Sequence, residues 1–409
     1  MLKDQLKEII RSQKDNLKLA DSIIPRGASR IMPKPGRALI LTGVRRCGKS
    51  TLLKQIAAQY DSVQYLNFED IRLHNFAIDD YERLLSIYSE PAAKTQIFCF
   101  DELQNVPKWE FFIRTLLEQR KCVIVTGSNA NLLSSELGTK LTGRYVAKEL
   151  FPFSYSEWLD YMKSSNTRDA FSKYTITGGF PEYLETMQTE VLQQLLNDII
   201  FRDVALRFGI RNINELINIA LHLLSNISKE YSFNSLRKTY SIASTNTVSN
   251  YISYLESCYL FFSLQRFSYS IKKQIVNPKK IYCIDHGLAK INSLSFSEDR
   301  RRSLENIVFL HLRRQSTGIY YFKEHAECNF IVKKKIKELE LIQVCENLHN
   351  ENTDRELAGI KEALKFTNMK KGTIVTLDQK DHIRNDGFTL EIVPVYEWLT
   401  KESNPKIVK

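Results

Sequence analysis

"LILTGVRRCGKSTLL", residues 39–53, decides how the first third of this chain is read. An apolar run, Leu39 to Thr42, leads into Gly43-Val44-Arg45-Arg46-Cys47-Gly48-Lys49-Ser50-Thr51, and a helical pattern begins at its end. The spacing Gly43-x4-Gly48-Lys49-Ser50, set between a strand and a helix, is that of a loop whose backbone N–H groups curl around phosphate oxygens. The helix that follows points its unpaired N–H groups at the same place. Lys49 is expected to neutralise phosphate charge, Ser50 to ligate Mg²⁺, and Thr51 to lie beside the α-phosphate. Arg45 and Arg46 either contact nucleotide or simply make the loop basic.

Three further apolar runs follow, "SVQYLNFED" (62–70), "QIFCFDEL" (96–103) and "KCVIVTGS" (121–128). They are rich in Ile, Val, Leu and Phe and do not alternate with polar residues, as expected of parallel strands covered on both faces. "PKWEFFIRTLLEQR" (107–120) has the spacing of an amphipathic helix. Residues 1–150 therefore read as an α/β phosphate-loop domain. Its second carboxylate-bearing strand ends at Asp101-Glu102, where Asp101 suits a water-mediated Mg²⁺ contact and Glu102 the polarisation of an attacking water. The next strand tip offers Thr126, Ser128 and Asn129; Asn129 is the preferred γ-phosphate sensor, with a helix cap before Leu132 as its alternative. Arg144, in "LTGRY", is placed to reach the γ-phosphate of a neighbouring subunit in a homo-oligomer or to be a surface residue.

Beyond residue 150 the pattern turns helical. "FPFSYSEWLDYM", the Gly-Gly turn of "ITGGFPEYLE" and the long helix "VLQQLLNDIIFRDVALRFG" make residues 151–210 a helical lid on the core. Residues 211–295 read as three helices followed by two short strands, "LFFSLQRFS" and "KKIYCIDHG", which is the order of a winged helix. The third helix, "STNTVSNYISYLESCYL", has an apolar face of Val248, Tyr251 or Ile252, Leu255 and Tyr259. Thr245, Asn246, Thr247, Ser249 and Asn250 are its candidate donors to duplex DNA, with Arg266, Lys272, Lys273, Lys279 and Lys280 as a basic rim. A protein partner on this module is the competing expectation. Residues 296–409 read as strands flanked by helices, a terminal α/β domain.

Composition sets the outer limits. A chain of 409 residues with 43% apolar and 26% charged side chains is a globular protein of several domains. Its net charge of +11 leans towards an acidic partner. Seven scattered cysteines without a CxxC pair argue for a reducing, cytoplasmic setting and against structural zinc. No apolar run reaches the length of a membrane span.

"TGVRRCGKSTLL", "FDELQNVPKWEFFIRTLLE", "VTGSNANLLSSEL", "LTGRYVAKELFPFSYSEW" and "GGFPEYL" resemble the bacterial and archaeal AAA+ superfamily ATPases of the AAA_14 type that carry a C-terminal DUF4143 domain. "TVSNYISYLESCYLFFSLQRFS" and "KKIYCIDHGLA" are similar to that family's winged-helix region, and "ENIVFLHLRRQ", "YYFKE", "ECNFIV" and "LIQVC" to its terminal domain. The resemblance implies ATP as substrate, Mg²⁺ as cofactor, and Gly43, Gly48, Lys49, Ser50 and Thr51 as the phosphate loop. It assigns Asp101 and Glu102 as the metal and water carboxylates, Asn129 as polar sensor and Arg144 as candidate finger. Three activities remain open: ATP hydrolysis coupled to DNA binding or remodelling, a nucleotide-switched scaffold for a protein partner, and an ATP-dependent nuclease.

The terminal domain resembles a restriction-endonuclease scaffold in outline. Such a centre needs a helix glutamate, an aspartate on one strand and Glu-x-Lys on the next. Glu305 suits the helix position and Glu327 lies close by, but Asn329 stands where Asp is needed and Gln343-x-Cys345 replaces Glu-x-Lys. A neutral amide is a poor Mg²⁺ ligand and a thiol cannot do the lysine's work, so the expectation is a nuclease-like fold without its chemistry. Arg300–Arg302, Arg313–Arg314 and Lys333–Lys337 are the clusters left to hold a nucleic-acid backbone.

Overall fold

A computed structural model describes residues 1–14, 17, 24–27, 31–89, 96–130, 141, 143–295, 299–335, 338–349, 352–385 and 387–401. Residues 131–140, which include the helix expected after Asn129, lie outside the described residues, as do Thr142 and Lys337. The chain forms two compact units, Met1–Phe151 and Pro152–Lys409.

The first unit is built on five parallel strands: β1 (Ala38–Gly43), β2 (Val63–Asn67), β3 (Ile97–Asp101), β4 (Cys122–Gly127) and β5 (Tyr145–Leu150). Their lateral order is β2-β3-β4-β1-β5. Every residue of β1 and β3 is buried, because helices cover both faces. Helix α1 (Lys3–Lys14) packs on β2, α2 (Lys49–Ala57) follows β1, α3 (Asp80–Tyr88) packs on α1, and α4 (Trp109–Glu118) packs on β4. The buried face of α4 is Trp109, Phe112, Ile113, Leu116 and Leu117, the i, i+3, i+4 stripe that its sequence predicts. Insertion of β4 between β1 and β3 matters most for function: three strand tips, not two, converge at one edge of the sheet.

In the second unit the helices α5 (Tyr155–Met162), α6 (Arg168–Thr177), α7 (Pro181–Thr186) and α8 (Thr189–Asp198) come first. Ser154 opens α5 with a reciprocal capping box to Glu157. The long helix expected through residue 209 is not uniform: after α8 the chain continues as a π-helix, Ile199–Leu206, and the Asp203 carbonyl accepts from Cys258 Sγ. Next come α9 (Ile213–Ser225), β6 (Glu230–Tyr231), α10 (Phe233–Thr239), α11 (Thr245–Ser257) and β7 (Phe261–Leu264). They are followed by α12 (Ile271–Val276), β8 (Lys279–Cys283) and α13 (His286–Asn292). The sheet here has three strands, β6-β8-β7, all antiparallel, rather than the two expected. A two-residue strand leaves no alternation in a sequence to find.

Asp285 ties this segment to the preceding helices. One carboxylate oxygen accepts from Gly179 N and the other from Leu288 N, both at 2.8 Å, the second capping α13. A Cβ on Gly178, at φ +70°, would stand 2.2 Å from Asp285 Oδ1, and one on Gly179 would stand 2.3 Å from the Phe153 carbonyl oxygen. The "GGFP" and "IDHG" motifs are thus two halves of one backbone contact.

The terminal part holds α14 (Arg300–Arg313), β9 (Ile319–Lys323), β10 (Glu327–Lys335), β11 (Glu338–Val344), α15 (Thr353–Thr367), β12 (Lys371–Thr376), β13 (Asp381–Asn385), β14 (Phe388–Pro394) and α16 (Val395–Thr400). The sheet order is β13-β14-β12-β11-β10-β9, parallel at β11-β12-β14 and antiparallel elsewhere. The edge strand β13, "DHIRN", went unseen in the sequence because it is short and polar, a common guard for a free edge. Leu341, Ile360, Leu364, Ile374 and Leu390 form the core beneath α15.

Candidate functional site

The residues expected to act together meet where β1, β3 and β4 end. Gly43 closes β1 opposite Leu150 of β5, and a Cβ there would stand 2.1 Å from the Leu150 carbonyl oxygen. Glycine is therefore required before the loop begins. Gly48, left-handed at φ +96°, is the N-cap of α2, and the first helical residues are Lys49 and Ser50. Lys49 is buried, and its ammonium donates to the Gly43 and Val44 carbonyls, each at 3.1 Å. It stands 3.7 Å from Glu102 Oε1.

Asp101 is the most enclosed carboxylate of the group. Thr126 Oγ1 donates to its Oδ1, Tyr65 Oη donates to its Oδ2 at 3.1 Å, and Ser50 also hydrogen-bonds to it. Burial raises the Asp101 carboxyl above its ordinary value, Glu102 adds to the rise, and the hydroxyl donors oppose it. Burial and the Asp101 charge push the Tyr65 hydroxyl far upward as well, so it stays a donor. The same Thr126 oxygen also accepts from Glu102 N at 2.9 Å. Glu102 itself adopts the left-handed conformation, φ +50°, which costs about 1 kcal/mol or more in a non-glycine residue. That turn aims its side chain back at Lys49. Gln104 Nε2 donates to Glu102 Oε2 at 2.5 Å, and Ser128 Oγ stands 3.5 Å from the same amide nitrogen. Gln104 Oε1 is buried with no hydrogen-bond partner among the described residues. Asn129 is buried just beyond Ser128.

A hydroxyl and a carboxylate, Ser50 and Asp101, form a hard-oxygen pair suited to an ion whose remaining ligands are phosphate oxygens and water. Among the described residues no cluster of three or more His, Cys, Asp or Glu side chains is arranged to hold a metal alone.

Other expected residues lie apart. Arg45 pairs with Glu69 at 3.3 Å, and Arg46 adopts φ +61° in the loop. Cys47 is buried, its Sγ donating to the Leu150 carbonyl, and burial raises its thiol. Arg144 is exposed and precedes β5, its carbonyl accepting from Ala38 N at the opposite end of β1 from Gly43, about 17 Å away along the strand. Sequence reasoning missed Arg26. Its guanidinium is buried against the loop, donating to the Cys47 carbonyl at 3.2 Å and the Phe151 carbonyl at 2.7 Å. It also missed Gln104 and Tyr65, which carry no signal in a linear motif.

A protein of Methanocaldococcus jannaschii, the uncharacterized protein MJ1544, is 35% identical over 403 residues, spanning 89% of this chain and 88% of that one. An AAA domain family model, AAA_14, matches residues 35–159, the stretch that contains the whole cluster. The chain belongs to this AAA+ ATPase family. An uncharacterized protein of Haemophilus influenzae is 29% identical over 387 residues, spanning 88% of this AAA+ chain and 93% of its own. The expected DUF4143 domain is corrected by the second family match: residues 168–299 fit a different domain of unknown function, DUF8612. The matched stretch contains "TVSNYISYLES" and "KKIYCIDHGLA", the motifs expected to form the winged-helix region.

In the second unit of this AAA+ protein several of the basic residues expected on the rim and in the terminal clusters are engaged internally, while Lys272 and Lys273 of the rim are exposed. Arg266 pairs with Glu324, Arg301 with Glu356 and Arg302 with Asp299, and Arg313 lies over the Phe262 ring. Lys280 is the sharpest correction: expected on the rim, it is only 2% exposed. No helix among the described residues is long and apolar enough to cross a membrane.

Proposed function

We propose that this protein binds and hydrolyses ATP at the tips of β1, β3 and β4. The observation that carries the reading is the Lys49–Glu102–Thr126–Asp101–Ser50 network, assembled from three strand ends around the N-terminus of α2. Lys49 moves its ammonium from the Gly43 and Val44 carbonyls to phosphate oxygens. Backbone N–H groups of residues 43–51 hold the phosphates. Ser50 and Asp101 hold Mg²⁺, which supplies charge neutralisation at the phosphate oxygens when bound. Glu102, released from Gln104, takes a proton from the attacking water. Asn129 senses the γ-phosphate, and Arg144, too far along the strand to serve its own loop, acts on that of a neighbouring copy.

Residues 211–295 are proposed as a winged helix and residues 296–409 as a nuclease-like domain without metal chemistry. The helix-strand-helix-helix-strand order of α9 to β7, closed by β8 after the short helix α12, supports the first. Duplex DNA is the leading partner. The exposed positions of α11 are Thr245, Asn246, Asn250 and Ser253, none charged, and the arginines above are already paired. That favours a second reading, in which nucleotide switches the grip on a protein partner.

The deciding experiment is ATP turnover by wild type and Glu102→Gln, each with and without duplex DNA. The proposal expects turnover to fall at least a hundredfold in the variant and to rise with DNA in the wild type. Unchanged turnover in Glu102→Gln removes the assigned mechanism, and indifference to DNA selects the protein-partner reading.

A further inference from the structure

The terminal domain has the carboxylates of a metal centre but holds something else between them. Lys280 and Tyr282, two residues apart on β8, point the same way across the strand. Lys280 Nζ donates to Glu305 Oε1 at 2.9 Å and to Glu327 Oε1 at 2.5 Å. Tyr282 Oη donates to the same Glu305 oxygen at 2.7 Å. The other Glu305 oxygen accepts from Asn329 Nδ2 at 2.9 Å, and Asn329 Oδ1 accepts from Val344 N at 2.8 Å. Gln343 is turned away from Glu305: its Nε2 donates to Glu356 Oε2 at 2.9 Å, and its Oε1 accepts from Asn329 N at 3.3 Å. Every oxygen of Glu305, Asn329 and Gln343 that a divalent ion would need is thus engaged by an internal donor. Cys345, buried at the end of β11, has its thiol pushed up to about 12 by burial, with Glu356 adding to the rise.

We infer that the Lys280 ammonium is the resident cation of this centre, taking the place between Glu305 and Glu327 that a divalent ion would occupy and fastening the three-stranded sheet to the terminal domain. The amide substitutions and the lysine belong together. One ammonium with one buried and one half-exposed glutamate needs no second cation, whereas an aspartate at 329 would leave surplus buried negative charge. Burial works to lower the Lys280 value, and Glu305 and Glu327 overcome it to hold the ammonium charged. Its ammonium lies over the Tyr321 ring, 5.7 Å from the centroid, and Tyr282 stacks on Phe309 at 4.1 Å, where Lys280 and Glu305 are both buried.

The test is Mn²⁺ titration of nucleotide-free protein, read by electron paramagnetic resonance and by thermal midpoint. All samples carry Asp101→Asn, so that the Ser50–Asp101 pair of the first unit no longer offers a carboxylate to the ion. The Lys280 parent is expected to show no tight Mn²⁺ site and no midpoint shift. Lys280→Met is expected to lose roughly 10 °C and to gain a Mn²⁺ site that restores part of the loss; adding Glu305→Gln should abolish the gain. Lys280→Arg should keep the midpoint within a few degrees and bind no Mn²⁺. The inference is overturned if the Lys280 parent binds Mn²⁺ tightly and Glu305→Gln alone removes that binding, an arm that stands even where Lys280→Met does not fold. It is equally overturned if Lys280→Met folds with an unchanged midpoint and no response to Mn²⁺. Neither result depends on whether ATP is hydrolysed.

Discussion

Thr126 donates its hydroxyl proton to Asp101 and receives the backbone N–H of Glu102 on the same oxygen. One side chain on β4 thereby fixes two consecutive acidic residues, the last of β3 and the one that follows it. The arrangement holds a carboxylate in burial, at a cost to the nucleotide-free protein. The Asp101 value is raised on folding, so between its unfolded value and its folded one the native state keeps a proton the unfolded chain has lost. Stability contributed by this group therefore falls as pH rises through that window and stays reduced above it. Asp101→Asn is expected to raise the thermal midpoint at neutral pH by about 3 °C, with the advantage shrinking as pH drops towards the ordinary carboxylate value. The same variant should lose Mg²⁺-dependent turnover. A midpoint lowered at neutral pH would show that the ionised carboxylate stabilises the fold.

Gly178 and Asp285 make a second test, of the fold alone. A methyl group at 178 has no room beside Asp285 Oδ1, and φ +70° penalises it further. Gly178→Ala is expected to destabilise the second unit by roughly 2–4 kcal/mol. Asp285→Ala should cost about 2 kcal/mol, through the lost α13 cap and the orphaned Gly179 N–H. Because both act on one contact, the double variant should cost clearly less than the sum. Chemical denaturation of the three variants reads this directly, and strict additivity would sink it.

Arg26 connects the segment before β1 to the loop. Its bonds to the Cys47 and Phe151 carbonyls brace the backbone of the loop. Charge-assisted bonds of this kind are worth about 1.5–3 kcal/mol each, yet part of the loop would keep its form through Gly43 and α2. Arg26→Ala is expected to weaken ATP binding about tenfold and to change turnover at saturation far less. A fall in turnover with unchanged affinity would place Arg26 in the chemistry instead.

Local chemistry was readable before the fold was known, and relations across the chain were not. Gly43, Lys49, Ser50, Asp101 and Glu102 announce themselves because a loop and a strand end each lie within a few residues. The apolar runs of β1, β3 and β4 showed a parallel sheet, but nothing in them says that β4 enters between the other two. Thr126 therefore stood behind the preferred Asn129 among three candidates, though its hydroxyl bridges both acids. Arg26 and Lys280 are the reverse case. Each is a basic residue in a basic chain, and only the partners brought by folding, two carbonyls for one and two glutamates for the other, separate them from a solvated surface. The DUF4143 assignment rested on short helical and strand motifs with no fixed spacing of chemically special residues, whereas the phosphate loop has one.

Arg144 gives the sharpest test of assembly. It is exposed at the end of β1 and β5 remote from Gly43, so a catalytic role requires a second copy of the chain. Arg144→Ala and Lys49→Ala should each abolish turnover while leaving the thermal midpoint within about 1–2 °C for the exposed arginine. Mixed in equal amounts and allowed to exchange subunits, the two dead proteins should recover activity, because an intact loop on one copy then meets an intact arginine on the next. Random mixing gives that pairing at about a quarter of the interfaces of a head-to-tail ring, so roughly a quarter of wild-type turnover is expected. Full activity in Arg144→Ala alone leaves the residue on the surface. Loss without recovery on mixing, under conditions where wild-type subunits exchange, confines its effect to its own chain.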